Sequence, residues 1–246
     1  DPDRAPREPP GTRRRAPHEA FTAVLILALD ASTPATTVVL ARVGEDGRKI
    51  LAEVSLASRG ASEALLPAAH AALSLAGENL GSVERILVGV GPGTFTGIRI
   101  AAATARALSL STGAALSKNS TLAALAAPAL SCSGDVLAVL DARRGQVFAQ
   151  RFSEGGPTAG ISCLEPKDLS SEGEPLVVGD GAVRYHEALA GLGRIPPDGS
   201  PLHRVTAVGH LLSGDLAPVP AEDLVPIYVR EPDAEVRRDL NPWSRP

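Results

Sequence analysis

The stretch Val24-Leu25-Ile26-Leu27-Ala28-Leu29-Asp30-Ala31-Ser32-Thr33-Pro34 is a short, continuous apolar run that ends at an aspartate and a Ser-Thr-Pro turn. A run without polar interruption predicts a strand buried on both faces, because a half-buried strand would alternate. Thr36 to Val43 is rich in β-branched residues and reads as its hairpin mate; Gly44 to Gly47 makes the next turn and Ile50 to Ser55 a third strand. Further on, Val136-Leu137-Ala138-Val139-Leu140 again ends at an aspartate, Asp141, turns through Ala-Arg-Arg-Gly and returns as Gln146 to Phe152. The order of apolar strand, terminal aspartate, polar turn and returning strand therefore occurs twice. That suggests two lobes built on one plan, although short matches of this kind also arise by chance.

Between the two copies the period changes. Ser62 to Ala76 is helical, with Leu65, Leu66, Ala69, Ala72, Leu73 and Ala76 on one face and Gly77 as its stop. Ile86 to Val90 is a buried strand that runs into Gly91-Pro92-Gly93-Thr94; Thr96 to Ser111 follows as a helix and Ser120 to Leu130 as another. In the second half Leu176 to Val178, Gly179-Asp180-Gly181 and Ala182 to Ala190 give strand, glycine turn and helix, the sort of place where an adenosine sits between two lobes. Strands alternating with helices predict an α/β fold. The expected organisation is a tail over 1–20, a first lobe over 21–130, a second, degenerate lobe over 131–230 and a C-terminal tail over 231–246. The first twenty residues are rich in proline, arginine and acidic groups, too poor in apolar area to offset their ordering entropy, and are expected to be disordered. Arg13, Arg14 and Arg15 read as a solvated charge run, with contact to an acidic partner as the other reading. No methionine occurs, the first position included, so residue 1 is not expected to be the translated start.

Composition narrows the function classes. With 246 residues and 44% apolar content the chain can bury a sizeable core. A net charge of −4 supplies no field for tracking phosphate backbones and argues against direct, autonomous binding of tRNA or DNA. The two cysteines, Cys132 and Cys163, match neither a zinc knuckle nor a redox pair, which fits a reducing compartment. No apolar run approaches the roughly 20 residues that span a bilayer, and no signal-peptide pattern is present, so the expectation is cytoplasmic with no membrane association.

The most informative motif is Val88-Gly89-Val90-Gly91-Pro92-Gly93-Thr94-Phe95-Thr96-Gly97-Ile98-Arg99-Ile100. It places glycines and amides at a helix N-terminus, which favours anions. Yet Thr96 stands at the third glycine of a dinucleotide loop, no Lys-Ser or Lys-Thr follows Gly97, and Phe95 stands where a nucleophile elbow has its serine. Along the helix Gly97, Ala101 and Ala105 recur every fourth residue, making a stripe nearly free of bulk. It suits packing inside the chain or close approach of a partner helix, with Leu65, Leu66, Leu73, Ile98 and Leu108 completing a four-helix contact and Ala69 a further candidate interface residue on the first helix. Asp30 and Asp141 occupy the strand ends where actin-type ATPases hold metal and phosphates; each is also a common turn cap. With Gly91 and Gly93 they define a candidate, degenerate nucleotide or anion cleft. His18, His70, His186, His203 and His210 form no His-x-x-x-His pair, so no histidine-bound metal is expected, and no cofactor.

Leu25 to Thr33, Ser62-Glu63-Ala64-Leu65-Leu66-Pro67, Gly91 to Ile100, Val139 to Arg143 and Pro226-Ile227-Tyr228-Val229-Arg230 together resemble the TsaB, or YeaZ, family, the dimerisation subunits of bacterial tRNA threonylcarbamoyladenosine biosynthesis. The resemblance spans roughly Val24 to Arg230, and its specific part is the Gly-Pro-Gly-x-Phe-Thr-Gly-x-Arg run. It implies an actin-like ATPase (ASKHA) fold, two lobes of mixed sheet flanked by helices. It further implies a non-catalytic subunit that pairs with the catalytic paralogue TsaD through the two first-lobe helices, TsaE being the ATPase of the complex and tRNA a partner only indirectly. A homodimer through the same helices is open beside it, and so is an ATP-hydrolysing or protease-like enzyme acting alone. One departure is Ala61, where many relatives carry histidine before the Ser-Glu pair.

Overall fold

A computed structural model describes residues 23–57 and 60–230; the tails expected over 1–20 and 231–246 lie outside the described residues. The first sheet has the order β3-β2-β1-β4-β5, with β1 (Val24–Asp30), β2 (Ala35–Gly44), β3 (Gly47–Ala57), β4 (Arg85–Gly89) and β5 (Ala115–Asn119). β1 runs antiparallel to β2 and parallel to β4. The second sheet comprises β6 (Asp135–Arg143), β7 (Gln146–Ser153), β8 (Gly156–Pro157), β9 (Ser162–Leu164) and β10 (Leu176–Val178). Its centre repeats the first: β6 is antiparallel to β7 and parallel to β10. Both sheets are mixed, and the repeated plan expected from the two aspartate-ended runs is present in the topology.

Burial accounts for the unbroken apolar run of β1. Leu25, Leu27 and Leu29 face α1 (Ala61–Ala76) and α2 (Phe95–Thr112), whereas Ile26 and Ala28 face Ala207 and Leu211 of α6 (Ala207–Ser213) on the other side of the sheet. In β6, Val136, Ala138 and Leu140 pack with α3 (Thr121–Leu130), and Leu137 and Val139 with Ala182 and Leu189. Helical layers on both faces leave no position for a polar alternation.

Two expectations need correction. The single helix over Ala182 to Ala190 is instead α4 (Asp180–Arg184) and α5 (His186–Leu189), interrupted at Tyr185, whose φ of −114° and ψ of 32° leave the helical region. The lobe boundary at 130/131 is also not a packing boundary, because the halves exchange elements. α3 lies in the core of the second sheet, while α6, from the second half, covers the first. The chain then returns along the first lobe: Val219 N–H donates to Leu116 O at 2.8 Å, Ile227 N–H donates to Val90 O at 2.7 Å, and Leu224 is buried in the first core. Arg106 and Lys118 hold this strap by donating to the carbonyls of Ala221, Leu224 and Asp223. Among the described residues no helix is long and apolar enough to cross a membrane.

Candidate functional site

The loops that follow β1 and β4 meet the end of β6 across a narrow crevice. Asp30, the last residue of β1, is wholly buried there. Its Oδ1 accepts from the Ser32 amide at 2.8 Å and the Ser32 hydroxyl at 2.7 Å, and its Oδ2 lies 2.9 Å from His210 Nε2. Asn119 Nδ2 sits 3.3 Å from His210 Nδ1, and the Thr121 hydroxyl donates to Ser32 Oγ at 3.0 Å. Burial alone would raise the Asp30 pKa, but the hydrogen bond and charge of His210 and the hydrogen bonds from Ser32 outweigh it and hold the carboxyl below its ordinary value. The carboxylate read as a turn cap, or as a candidate ligand for metal or phosphate, caps the turn at Ser32 and is engaged from both sides by its own chain.

The glycine loop is engaged too. Thr94 N–H donates to Ser32 O at 2.7 Å, so this amide at the start of α2 is satisfied by protein. A Cβ on Gly93 would stand 2.2 Å from Ser32 O, and one on Gly97 would stand 1.8 Å from Ala31 O. The glycines are explained by close approach of the loop to the β1 turn rather than by a ligand. Gly91, at φ +98°, takes a conformation that side chains disfavour.

Across the junction, Asp141 accepts from the Arg143 amide at 2.9 Å and the Tyr185 hydroxyl at 3.3 Å, and pairs with Arg143 at 3.3 Å. Asp180 Oδ1 accepts from the Asp141 amide at 3.0 Å. Burial, with the Asp141 charge adding to it, raises the Asp180 pKa. The crevice between Ser32, Gly93, Thr94, Asp141, Arg143 and Asp180 has room for about one water molecule, whereas nucleotide-sized ligands occupy pockets of roughly 300 Å³ or more. Among the described residues no three His, Cys, Asp or Glu converge in a way that would hold a metal ion.

The candidate pairing residues are placed differently from expectation. Leu65, Ala69, Leu73, Gly97, Ile98, Ala101 and Ala105 are all buried within the chain, where they pack α1 and α2 onto the first sheet. The stripe free of bulk is thus the inner face of α2, and Leu108 is only partly exposed beside the same core. Of the nine, Leu66 stands out at 52% exposure. The outer face of α2 carries Ala103, Ala107 and Leu110, the last 90% exposed, and α1 presents Leu66, Pro67 and, at 74% exposure, Leu75. These positions fall three and four residues apart along α2, so they share one apolar face.

The family model described as TsaD: tRNA N6-adenosine threonylcarbamoyltransferase matches residues 53–175, a span that takes in α1, the glycine loop, α2 and Asp141. An uncharacterized protein of Mycobacterium tuberculosis is 34% identical over 211 residues, covering 85% of this chain and 93% of its own length. The TsaB protein of Escherichia coli is 35% identical over 125 residues, 50% of this chain and 52% of the relative. YeaZ from Pseudomonas aeruginosa superposes with a TM-score of 0.68 at 26% identity, over 83% of this chain and 99% of the other. The chain belongs to the TsaB (YeaZ) family. The TsaB fold is of the actin-like ATPase type, and here Ser32 and the docked glycine loop line one side of the narrow crevice while Asp141, Arg143 and Asp180 line the other.

Sequence reasoning missed His210, Asn119 and Thr121, which stand far from Asp30 in the chain. The one available signal for His210 was a lone histidine inside the apolar helix Ala207-Val208-Gly209-His210-Leu211-Leu212. A second missed group lies at the start of α2: the Arg99 guanidinium sits 3.6 Å from the Phe95 ring centroid, and its Nε donates to the Tyr228 hydroxyl at 2.8 Å.

Proposed function

We propose that this TsaB-family chain is a non-catalytic, cytoplasmic partner subunit in tRNA threonylcarbamoyladenosine biosynthesis. In this reading it pairs with a TsaD-type transferase through the outer face of α1 and α2, in an assembly that a TsaE-type ATPase completes, and it meets tRNA only indirectly. The observation that carries it is that outer face. Leu66, Pro67, Leu75, Ala103, Ala107 and Leu110 are exposed on two adjacent helices whose only charged residues are Glu63 on α1 and Arg99 and Arg106 on α2. Exposed leucines beside alanines, with little charge, have the composition of an interface core. Engagement of Asp30 by His210 and Ser32 and the narrow crevice support the non-catalytic part. Free thiols at Cys132 and Cys163 support a reducing compartment.

The test is transfer of the threonylcarbamoyl group to tRNA by the purified transferase, with and without the full chain. Stimulation by the wild type that Leu110→Glu loses and Asp30→Asn keeps is the expected result. ATP hydrolysis by the chain alone that disappears in Asp30→Asn would instead establish the enzyme reading.

A further inference from the structure

Phe95, Arg99 and Tyr228 form an exposed stack in a chain that is only 3% aromatic. Phe95 and Tyr228 are each 42% exposed, with ring centroids 5.5 Å apart. The Arg99 guanidinium lies 3.6 Å from the Phe95 centroid and 5.7 Å from that of Tyr228. Its Nε is spent on the Tyr228 hydroxyl, whereas its two terminal nitrogens have no hydrogen-bond partner among the described residues. Two elements distant in sequence build the stack: Phe95 and Arg99 come from the first turns of α2, and Tyr228 from the strap that Arg106 and Ile227 tie down.

The geometry points to Arg99 as a preassembled anchor that takes a carboxylate of the protein partner in a two-pronged contact. This inference rests on the pairing reading above and names the chemistry at one end of that face. A guanidinium held over the Phe95 ring and tied by its Nε to the Tyr228 hydroxyl has already lost the side-chain freedom that an exposed arginine gives up on binding, and its planar fork matches a carboxylate. Aromatic and arginine side chains are also the types that dominate interface energetics. Charge selects the occupant. α2 carries no acidic residue, and its other cation, Arg106, is spent on the carbonyls of Ala221 and Leu224. The neighbouring Lys118 is spent on Asp223 O. A single free fork beside an apolar face suits one acidic side chain on a protein surface; a phosphate backbone calls for several cations in a row.

The test is a calorimetric titration of the full chain with the TsaD-type transferase at two salt concentrations, using wild type, Arg99→Ala, Arg99→Lys, Tyr228→Phe and Leu110→Glu, with tRNA titrated separately. Circular dichroism of each variant checks folding. The inference expects Arg99→Ala to weaken pairing by roughly tenfold or more, Arg99→Lys to recover little of it because the fork is gone, and Tyr228→Phe to fall between, all with the wild-type fold. If wild type binds and Leu110→Glu does not, but the Arg99 variants bind as wild type, the anchor is wrong while the pairing face stands. If wild type does not bind, the pairing reading fails and the anchor with it. Loss of tRNA affinity in Arg99→Ala with unchanged transferase affinity would also overturn the anchor, in favour of a phosphate contact.

Discussion

His210 meets Asp30 across 180 residues of chain, with neither side chain exposed. Such a pair contributes little net stability when whole, but removing His210 leaves the buried Asp30 charge compensated only by its bonds from Ser32. His210→Ala should therefore cost about 3–5 kcal/mol in denaturant unfolding near neutral pH, far more than an exposed histidine such as His70. The pH dependence has a definite sign. The folded-state pKa of Asp30 lies below its ordinary 3.8, so its contribution is fully present above that value and is lost as pH falls through the folded one. Unfolding midpoints should drop on acidification below about pH 4, and Asp30→Asn should flatten that part of the curve. Asp180 works in the opposite sense: its pKa is raised, so its contribution is present at low pH and lost as pH rises through the folded value. Asp180→Asn, which keeps an acceptor for the Asp141 amide, should stabilise the protein at neutral pH. The Asp30 cap on Ser32 was legible in the sequence, but its contact with His210 was not, because no spacing rule connects a strand end to a helix so far along the chain.

At the scale of elements, α2 shows what periodicity conveys and what it withholds. The spacing of Gly97, Ala101 and Ala105 correctly marks a face of close approach, but the period is blind to whether the neighbour is the chain's own sheet or another molecule. The deciding contact is the 1.8 Å that a Cβ on Gly97 would leave to Ala31 O, which the sequence cannot display. Gly97→Ala should lower stability by about 1–3 kcal/mol, read from thermal unfolding, since the backbone of the β1 turn must move. Ala107→Glu, on the exposed face one helix side away, should change stability by less than about 0.5 kcal/mol while abolishing pairing. Strands were easier to read: the run of β1 and the copy at β6 each have helices on both faces, so their sequences are apolar throughout.

At the scale of the whole molecule, the two lobes exchange helices and share a strap, so neither half of the chain holds a complete core. Hydrophobic spacing reveals that α3 and α6 each bury a face but not which sheet they cover, so a cut at 130/131 separates the two sheets without separating their cores. Leu224, a single leucine in a proline-rich segment, is fully buried in the first core. Leu224→Ala should cost about 2–5 kcal/mol and should lower the one unfolding transition of both lobes together rather than split it.

The account stands or falls on the outer face of α1 and α2. The most direct measurement is a calorimetric titration of the full chain with the TsaD-type transferase, wild type against the double variant Leu66→Glu with Leu110→Glu, after unfolding curves have shown both to be equally stable. Micromolar or tighter binding, about −8 kcal/mol or better, that the double variant loses is the predicted result; equal binding by both would place the interface elsewhere and contradict the account.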